Sequence, residues 1–144
     1  MRVTHVRLLT LDLGAALRFY RDVVGLEVSL GTEDGGYAEL DAGGVVLALF
    51  PRDEQADAVG TSHLPAATTA QDPVALILEV EEFDELLERL RASGAWTAGP
   101  TEHPEWGLAT LHFRDPDGTL VEAAHDLPRE RWSAELQADL ARNG

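Results

Sequence analysis

The sequence predicts an α+β fold made of two βαβββ modules followed by a C-terminal helix. Two observations predict it. The order strand, helix, strand, strand, strand occupies the first third of the chain and starts again after residue 73. The spacing also repeats, with 20 positions from His5 to Gly25 and 19 from Ala75 to Gly94. Identity between the halves is slight, so the repeat lies in element order rather than in letters. A βαβββ unit covers one face of its sheet with the helix and leaves the other bare. Two units are therefore expected to pair as a curved mixed sheet around a ligand cleft. The pattern assigns residues 1–58 to the first module with the start of a linker, 59–73 to the linker, 74–126 to the second module and 127–144 to the C-terminal helix.

Each element follows from its local pattern. VTHVRLLTL (Val3–Leu11) is rich in β-branched and aliphatic residues, as strands are. In DLGAALRFYRDVVG, Leu13, Ala16, Leu17, Tyr20 and Val24 fall at helical spacing, with Asp12 as N-cap and Gly25 as the stop. LEVSL, YAELD and VVLALF (Val45–Phe50) are strands separated by the turns GTEDGG and DAGG. Pro51 to Pro73 is rich in Ala, Thr, Asp and Pro without periodicity, the composition of a linker. VALILEV (Val74–Val80) restarts the pattern. EFDELLERLRASG places Phe83, Leu86, Leu87 and Leu90 on one helical face before Gly94. Its acidic start suits the helix dipole. AWTA, LATLHF and TLVEAA complete the second set, with the turn DPDG before the last strand. The tail forms a helix after Pro128, striped by Trp132, Leu136 and Leu140.

Composition narrows the function. The chain has 144 residues, enough to bury a sizeable core, with 44% hydrophobic and 26% charged residues. Eleven basic residues against 26 acidic ones give a net charge of −15. Nucleic acid and anionic membrane surfaces both require a basic footprint, so neither is an expected partner. No apolar run approaches the roughly 20 residues of a membrane span, and MRVTHVRLLTLDLG lacks a signal-peptide layout. Together with the absence of cysteine, this leads to the expectation of a cytoplasmic protein. Negative charge suits solubility first and the capture of a cationic small molecule second. There is no phosphate-cradling glycine loop followed by Lys-Ser/Thr, and no G-x-S-x-G elbow.

THVRLLTLDLGAALRFYRDVVGLEV in the first half and FRDPDGTLVEAAH in the second carry a resemblance. The chain resembles the vicinal-oxygen-chelate superfamily, which groups glyoxalase I, extradiol dioxygenases and bleomycin-resistance proteins. The resemblance covers nearly everything except the linker and the final helix. It implies paired modules, often completed by a dimer, so a homodimer is expected. In the metal-dependent members, ligands come from the first and last strands of each module. His5 and Glu122 match the family's His and Glu positions. The other two strands, VVLALF and VALIL, contain no oxygen or nitrogen side chain, and Ala75 stands where the family carries His.

A catalytic zinc usually takes three protein ligands plus water, and an oxygenase iron takes two His and one carboxylate. His5 and Glu122 supply one of each. His63, His103, His112 and His125 are substitutes outside the family positions, with His112 nearest on the strand before Glu122. Its direction depends on a register that sequence alone leaves open. HPEWG puts Trp106 where it could stack on a flat ligand or cap the core, with Gly107 allowing close backbone approach. Phe50 and Tyr37 are candidate aromatic walls. Trp96 is expected to pack beneath a helix, and Trp132 to anchor the C-terminal helix to its own module or across a dimer.

Two functions follow. The favoured one is a metal-free protein that binds a hydrophobic, cationic or aromatic small molecule through Phe50, Trp106, His112, Glu122 and Tyr37, without a cofactor. The other is a lyase or dioxygenase of the glyoxalase type. Its divalent metal would be held by His5, Glu122 and a third group such as His112, with His5 and Glu122 the candidate catalytic residues. A metal-free variant, with Glu122 and His5 as acid and base, lies between them.

Overall fold

A computed structural model describes residues 2–65, 72 and 74–143. It has the α+β architecture expected, two four-stranded mixed sheets each with its own helix, and a C-terminal helix. The chain divides into two compact units, one of residues 1–73 with 115–118, the other of residues 74–114 with 119–144. Of the expected linker 59–73, residues 66–71 and 73 lie outside the described residues.

In unit 1, β1 (His5–Thr10), β2 (Glu27–Gly31), β3 (Ala38–Asp41) and β4 (Val46–Pro51) form a sheet of order β1-β4-β3-β2. β1 runs parallel to β4, and the remaining pairs are antiparallel. The parallel pair requires a crossover, which α1 (Leu13–Arg18) begins. Asp12 caps it as expected, with Oδ1 accepting the Ala15 N–H at 2.9 Å. The helix then widens into a π-type turn over Phe19–Val24 and stops at Gly25, whose φ of 93° is the left-handed conformation glycine adopts freely. α1 packs on β4, and Leu13, Ala16, Leu17, Phe19 and Tyr20 are buried with Ala38, Leu40, Leu47 and Leu49.

Tyr20 is more than a core aromatic. Its hydroxyl donates to Asp115 Oδ2 at 2.7 Å, while Asp117 accepts from the Thr10 hydroxyl and, at 2.8 Å, from the Leu11 N–H. The DPDG motif turns as expected, through Gly118 N–H to Asp115 O at 3.0 Å. Its two aspartates also serve as acceptors for unit 1. Burial, reinforced by the Asp115 carboxylate, pushes the Tyr20 hydroxyl far above its ordinary range.

One difference from the sequence reading follows β4. Residues assigned to the start of an aperiodic linker form α2 (Arg52–Ala58), which has no buried residue. A helix without an apolar stripe leaves no periodic signal, and here Asp53 and Glu54 in its first turn favour it.

In unit 2, β5 (Ala75–Glu79), β6 (Thr97–His103), β7 (Leu108–Arg114) and β8 (Leu120–Asp126) repeat the topology as β5-β8-β7-β6. α3 (Asp84–Ser93) buries Leu86 and Leu90 and ends at Gly94, φ 75°. β6 reaches His103, so the short strand expected at AWTA is longer and its turn tighter. The tail makes a 3₁₀ turn (Arg129–Arg131) before α4 (Ala134–Asn143). Trp132 anchors it to its own unit, donating from Nε1 to Leu127 O at 2.8 Å. Trp96 is a correction. Rather than lying beneath a helix it is 53% exposed, with the Arg114 guanidinium 5.4 Å above its ring.

Candidate functional site

Strand alternation and register sort every side chain to one face or the other. In unit 1, β1 faces β4 through the pairs His5–Val46, Arg7–Ala48 and Leu9–Phe50, and Glu39 of β3 lies opposite Ala48. His5, Arg7, Leu9, Glu39 and Phe50 therefore share one side, away from the buried Leu40, Leu47 and Leu49. In unit 2 the corresponding pairs are Ala75–Leu120, Ile77–Glu122 and Glu79–Ala124, with His112 of β7 opposite Glu122.

The register settles where His112 points. Its Nε2 lies 2.8 Å from Glu122 Oε2, so the two share a face as a cross-strand pair. Beside Glu122 on the parallel strand is Ile77, 68% exposed. Further along the same face, His103 Nε2 is 3.0 Å from Thr110 Oγ1, and Trp106 stacks on the His103 ring at 4.4 Å and 20°. Trp106 is itself 61% exposed, so its other ring face is open. Gly107 lies against the C-terminal segment. With φ at 70°, a Cβ there would lie 2.9 Å from the Trp132 ring, so its missing side chain makes room for that indole.

Unit 1 brings together a different group. Tyr37 and Phe50 meet edge to face at 6.2 Å, and the Arg7 guanidinium sits over both, 5.9 Å from the first ring and 5.2 Å from the second. Arg7 Nη1 donates to Gln55 Oε1 of α2 at 2.9 Å. The Tyr37 hydroxyl donates to Glu39 at 2.7 Å, and His5 Nε2 approaches the same carboxylate at 3.5 Å. The bond to Glu39 raises the Tyr37 hydroxyl above its ordinary value, burial adds to this, and Arg7 pulls the other way.

The metal positions can now be tested on their donors. Ala48 is the register counterpart of Glu122, and Ala75 that of His5. Each face thus has one cross-strand His–Glu pair, His5 with Glu39 and His112 with Glu122, and in unit 2 His103 also lies 3.5 Å from Glu105 of the turn after it. Among the described residues, no group of three or more His, Cys, Asp or Glu side chains comes together as a metal would require. His125 is directed elsewhere, with Nδ1 3.1 Å from Asp126 O and its ring against Phe83. The donor set within each unit falls short of the three ligands a catalytic zinc takes.

Sequence reasoning missed Arg7, Glu39 and Gln55. Alternation held the signal for two of them, since Arg7 is two residues from His5 and Glu39 two from Tyr37. Gln55 had none, because its helix was itself unforeseen.

A second feature adjoins the same side of unit 1. Between Leu9, Leu11 and α2 lies a cavity of about 470 Å³, walled mainly by apolar groups. Among the described residues no helix is long and apolar enough to cross a membrane.

Known proteins carry the same pattern. Residues 2–123 match the family model described as the Glyoxalase/Bleomycin resistance protein/Dioxygenase superfamily. The Bacillus subtilis (strain 168) protein YraH, described as uncharacterized, is 32% identical over 123 residues, 85% of this chain and 96% of that protein. A glyoxalase/bleomycin resistance protein/dioxygenase structure from Nocardioides is 28% identical with a TM-score of 0.69, over 90% of this chain and 85% of that one. The structure of lactoylglutathione lyase from Agrobacterium tumefaciens is 28% identical with a TM-score of 0.64, over 85% and 92%. With the family model spanning nearly the whole chain, the protein belongs to the glyoxalase/bleomycin resistance/dioxygenase superfamily.

Proposed function

We propose that this protein binds a small organic molecule on the solvent-facing sides of its sheets and does so without a resident metal, as a homodimer. The observation that carries this reading is the composition of those faces. Each carries a cross-strand His–Glu pair beside apolar or aromatic groups, the exposed Leu9 and half-buried Phe50 in one unit and the exposed Ile77 and Trp106 in the other. Two donors in a pair that already satisfy one another suit a polar contact to a ligand better than a catalytic metal. Trp106 offers its open ring face to a flat ligand, and the His112–Glu122 pair offers a polar contact beside Ile77.

The enzymatic alternative draws support from the likeness to lactoylglutathione lyase. In it His5, Glu122 and a third group such as His112 would hold a divalent metal, which would polarise vicinal oxygens. Elemental analysis of protein purified without chelator or histidine tag separates the two. The binding reading expects no stoichiometric nickel, zinc, iron or manganese, and no rise in thermal midpoint on adding them. A stoichiometric metal that disappears with Glu122→Gln overturns it. Light scattering is expected to give the mass of two chains.

A further inference from the structure

We infer that the cavity between the end of β1 and α2 in unit 1 takes an amphipathic organic anion, with Arg7 reading the anionic group. This rests on the small-molecule reading above and adds the ligand's chemical class. The cavity, about 470 Å³, lies in the ordinary range for small-molecule pockets. Its apolar wall is Leu9, Leu11, Ala56, Val59 and Leu64. Leu11, Val59 and Leu64 are more than half exposed, so an apolar body laid against them would remove that surface from water.

The charge at its edge points to an anion. Gln55 lines the cavity and also holds the Arg7 guanidinium, and Arg7 is two residues before Leu9 on the same face of β1. Arg52 lines the cavity as well, with Nη2 donating to Leu9 O at 3.4 Å. Arg18, Arg21, Arg131 and Arg142 are each paired with a carboxylate. Arg7 and Arg52 are in no ion pair, which they share with Arg2, Arg91 and Arg129 among the described residues, but only these two stand at the cavity.

The Arg7 guanidinium has five N–H donors and is held in place by the Phe50 and Tyr37 rings and by Gln55. Its ring-facing side is used, and an Nη1 N–H goes to Gln55, which leaves further N–H donors for a ligand. A carboxylate or sulfonate matches that fork, whereas a cation would meet a place over the aromatic rings that is already taken.

Two features oppose an anion, and neither reverses the argument. Asp53 also lines the cavity, but its Oδ1 accepts the Glu54 N–H at 2.9 Å at the start of α2. The net charge of −15 repels anions at long range, yet at physiological salt that field is screened over about 8 Å, and a contact pair is screened less.

The test uses two probes of similar shape, 8-anilinonaphthalene-1-sulfonate and the neutral N-phenyl-1-naphthylamine, titrated into the whole folded chain by fluorescence. The sulfonate is expected to bind at least about tenfold more tightly than the neutral probe. Arg7→Gln should weaken the sulfonate about tenfold to a hundredfold and leave the neutral probe's affinity unchanged. Arg7→Lys should keep part of the preference, since the charge remains and the fork is lost. Val59→Asp should weaken both probes. Thermal melts confirm that each variant is folded before titration. Equal affinity for the two probes, or a sulfonate affinity that ignores Arg7→Gln, overturns the anion assignment and leaves the small-molecule reading standing. If neither probe binds the native chain, this assignment falls, and failure of a wider panel of neutral and cationic compounds would take the small-molecule reading with it.

Discussion

The solvent-facing sides of the two units share one backbone plan and carry different chemistry. In both, the third residue of the last strand lies between a residue of the first strand and a residue of the third. In unit 2 that middle position is Glu122, flanked by Ile77 and His112. In unit 1 it is Ala48, flanked by Arg7 and Glu39. The acid has moved one strand over, and a cation stands where unit 2 has an aliphatic chain. Unit 1 therefore presents a guanidinium on an aromatic floor, and unit 2 a His–Glu pair beside an isoleucine. A fixed register supplies the places, and single substitutions decide whether a face reads charge or apolar surface.

The sharpest way to break the comparison is through glycine. Gly107 in unit 2 and Gly43 in unit 1 both have positive φ, 70° and 82°, but a Cβ at Gly107 would strike Trp132 whereas one at Gly43 meets nothing within 4 Å. Gly107→Ala is expected to cost about 2–4 kcal/mol, combining left-handed strain with overpacking. Gly43→Ala should cost about 1–2 kcal/mol from strain alone. Chemical denaturation of both variants measures the difference, and equal losses would remove the close-packing role from Gly107.

A smaller contrast lies beneath the sheets. The helix of unit 2 buries Leu86 and Leu90, while the helical segment of unit 1 also buries a hydroxyl bonded to Asp115. Tyr20→Phe should cost about 1.5–3 kcal/mol, the range for a hydrogen bond to a charged group. The Tyr20 hydroxyl is raised in the folded chain, so its contribution is full below the unfolded value of about 10 and is lost as pH rises beyond it. Stability of the parent protein should fall above pH 10 more steeply than that of Tyr20→Phe. Parallel curves would show that Tyr20 is not the group responsible.

The smallest effect separates the two cross-strand His–Glu pairs. His112 and Glu122 are 2.8 Å apart and His5 and Glu39 are 3.5 Å apart, with His5 nearly half exposed. Double-mutant cycles should give a coupling of roughly 0.5–1 kcal/mol for the first and close to zero for the second. A larger coupling for His5 with Glu39 would mean that the unit 1 pair is the better formed of the two.

Much of the fold was legible in the letters because its signals are local. The Asp12 cap, the glycine stops at Gly25 and Gly94 and the DPDG turn each need only a few neighbouring residues. The helix at Arg52–Ala58 escaped for the converse reason, since nothing on it is buried and no stripe marks it. Of the side chains that the structure brings together, Glu122 and His112 had been named by position, and Phe50 and Tyr37 by aromatic character. Trp96 was misplaced because a tryptophan's burial depends on its neighbours, and here an arginine covers it in the open.

By itself the sequence determined the repeated element order, the caps and turns, and the family to which the chain belongs. Tertiary structure alone decided which side chains meet. His112 reaches Glu122, Arg7 lies over Phe50 and Tyr37, and Tyr20 finds Asp115 ninety-five residues away. Strand pairing joins residues distant in the chain, and a slip of one residue would send every one of these groups to the opposite face.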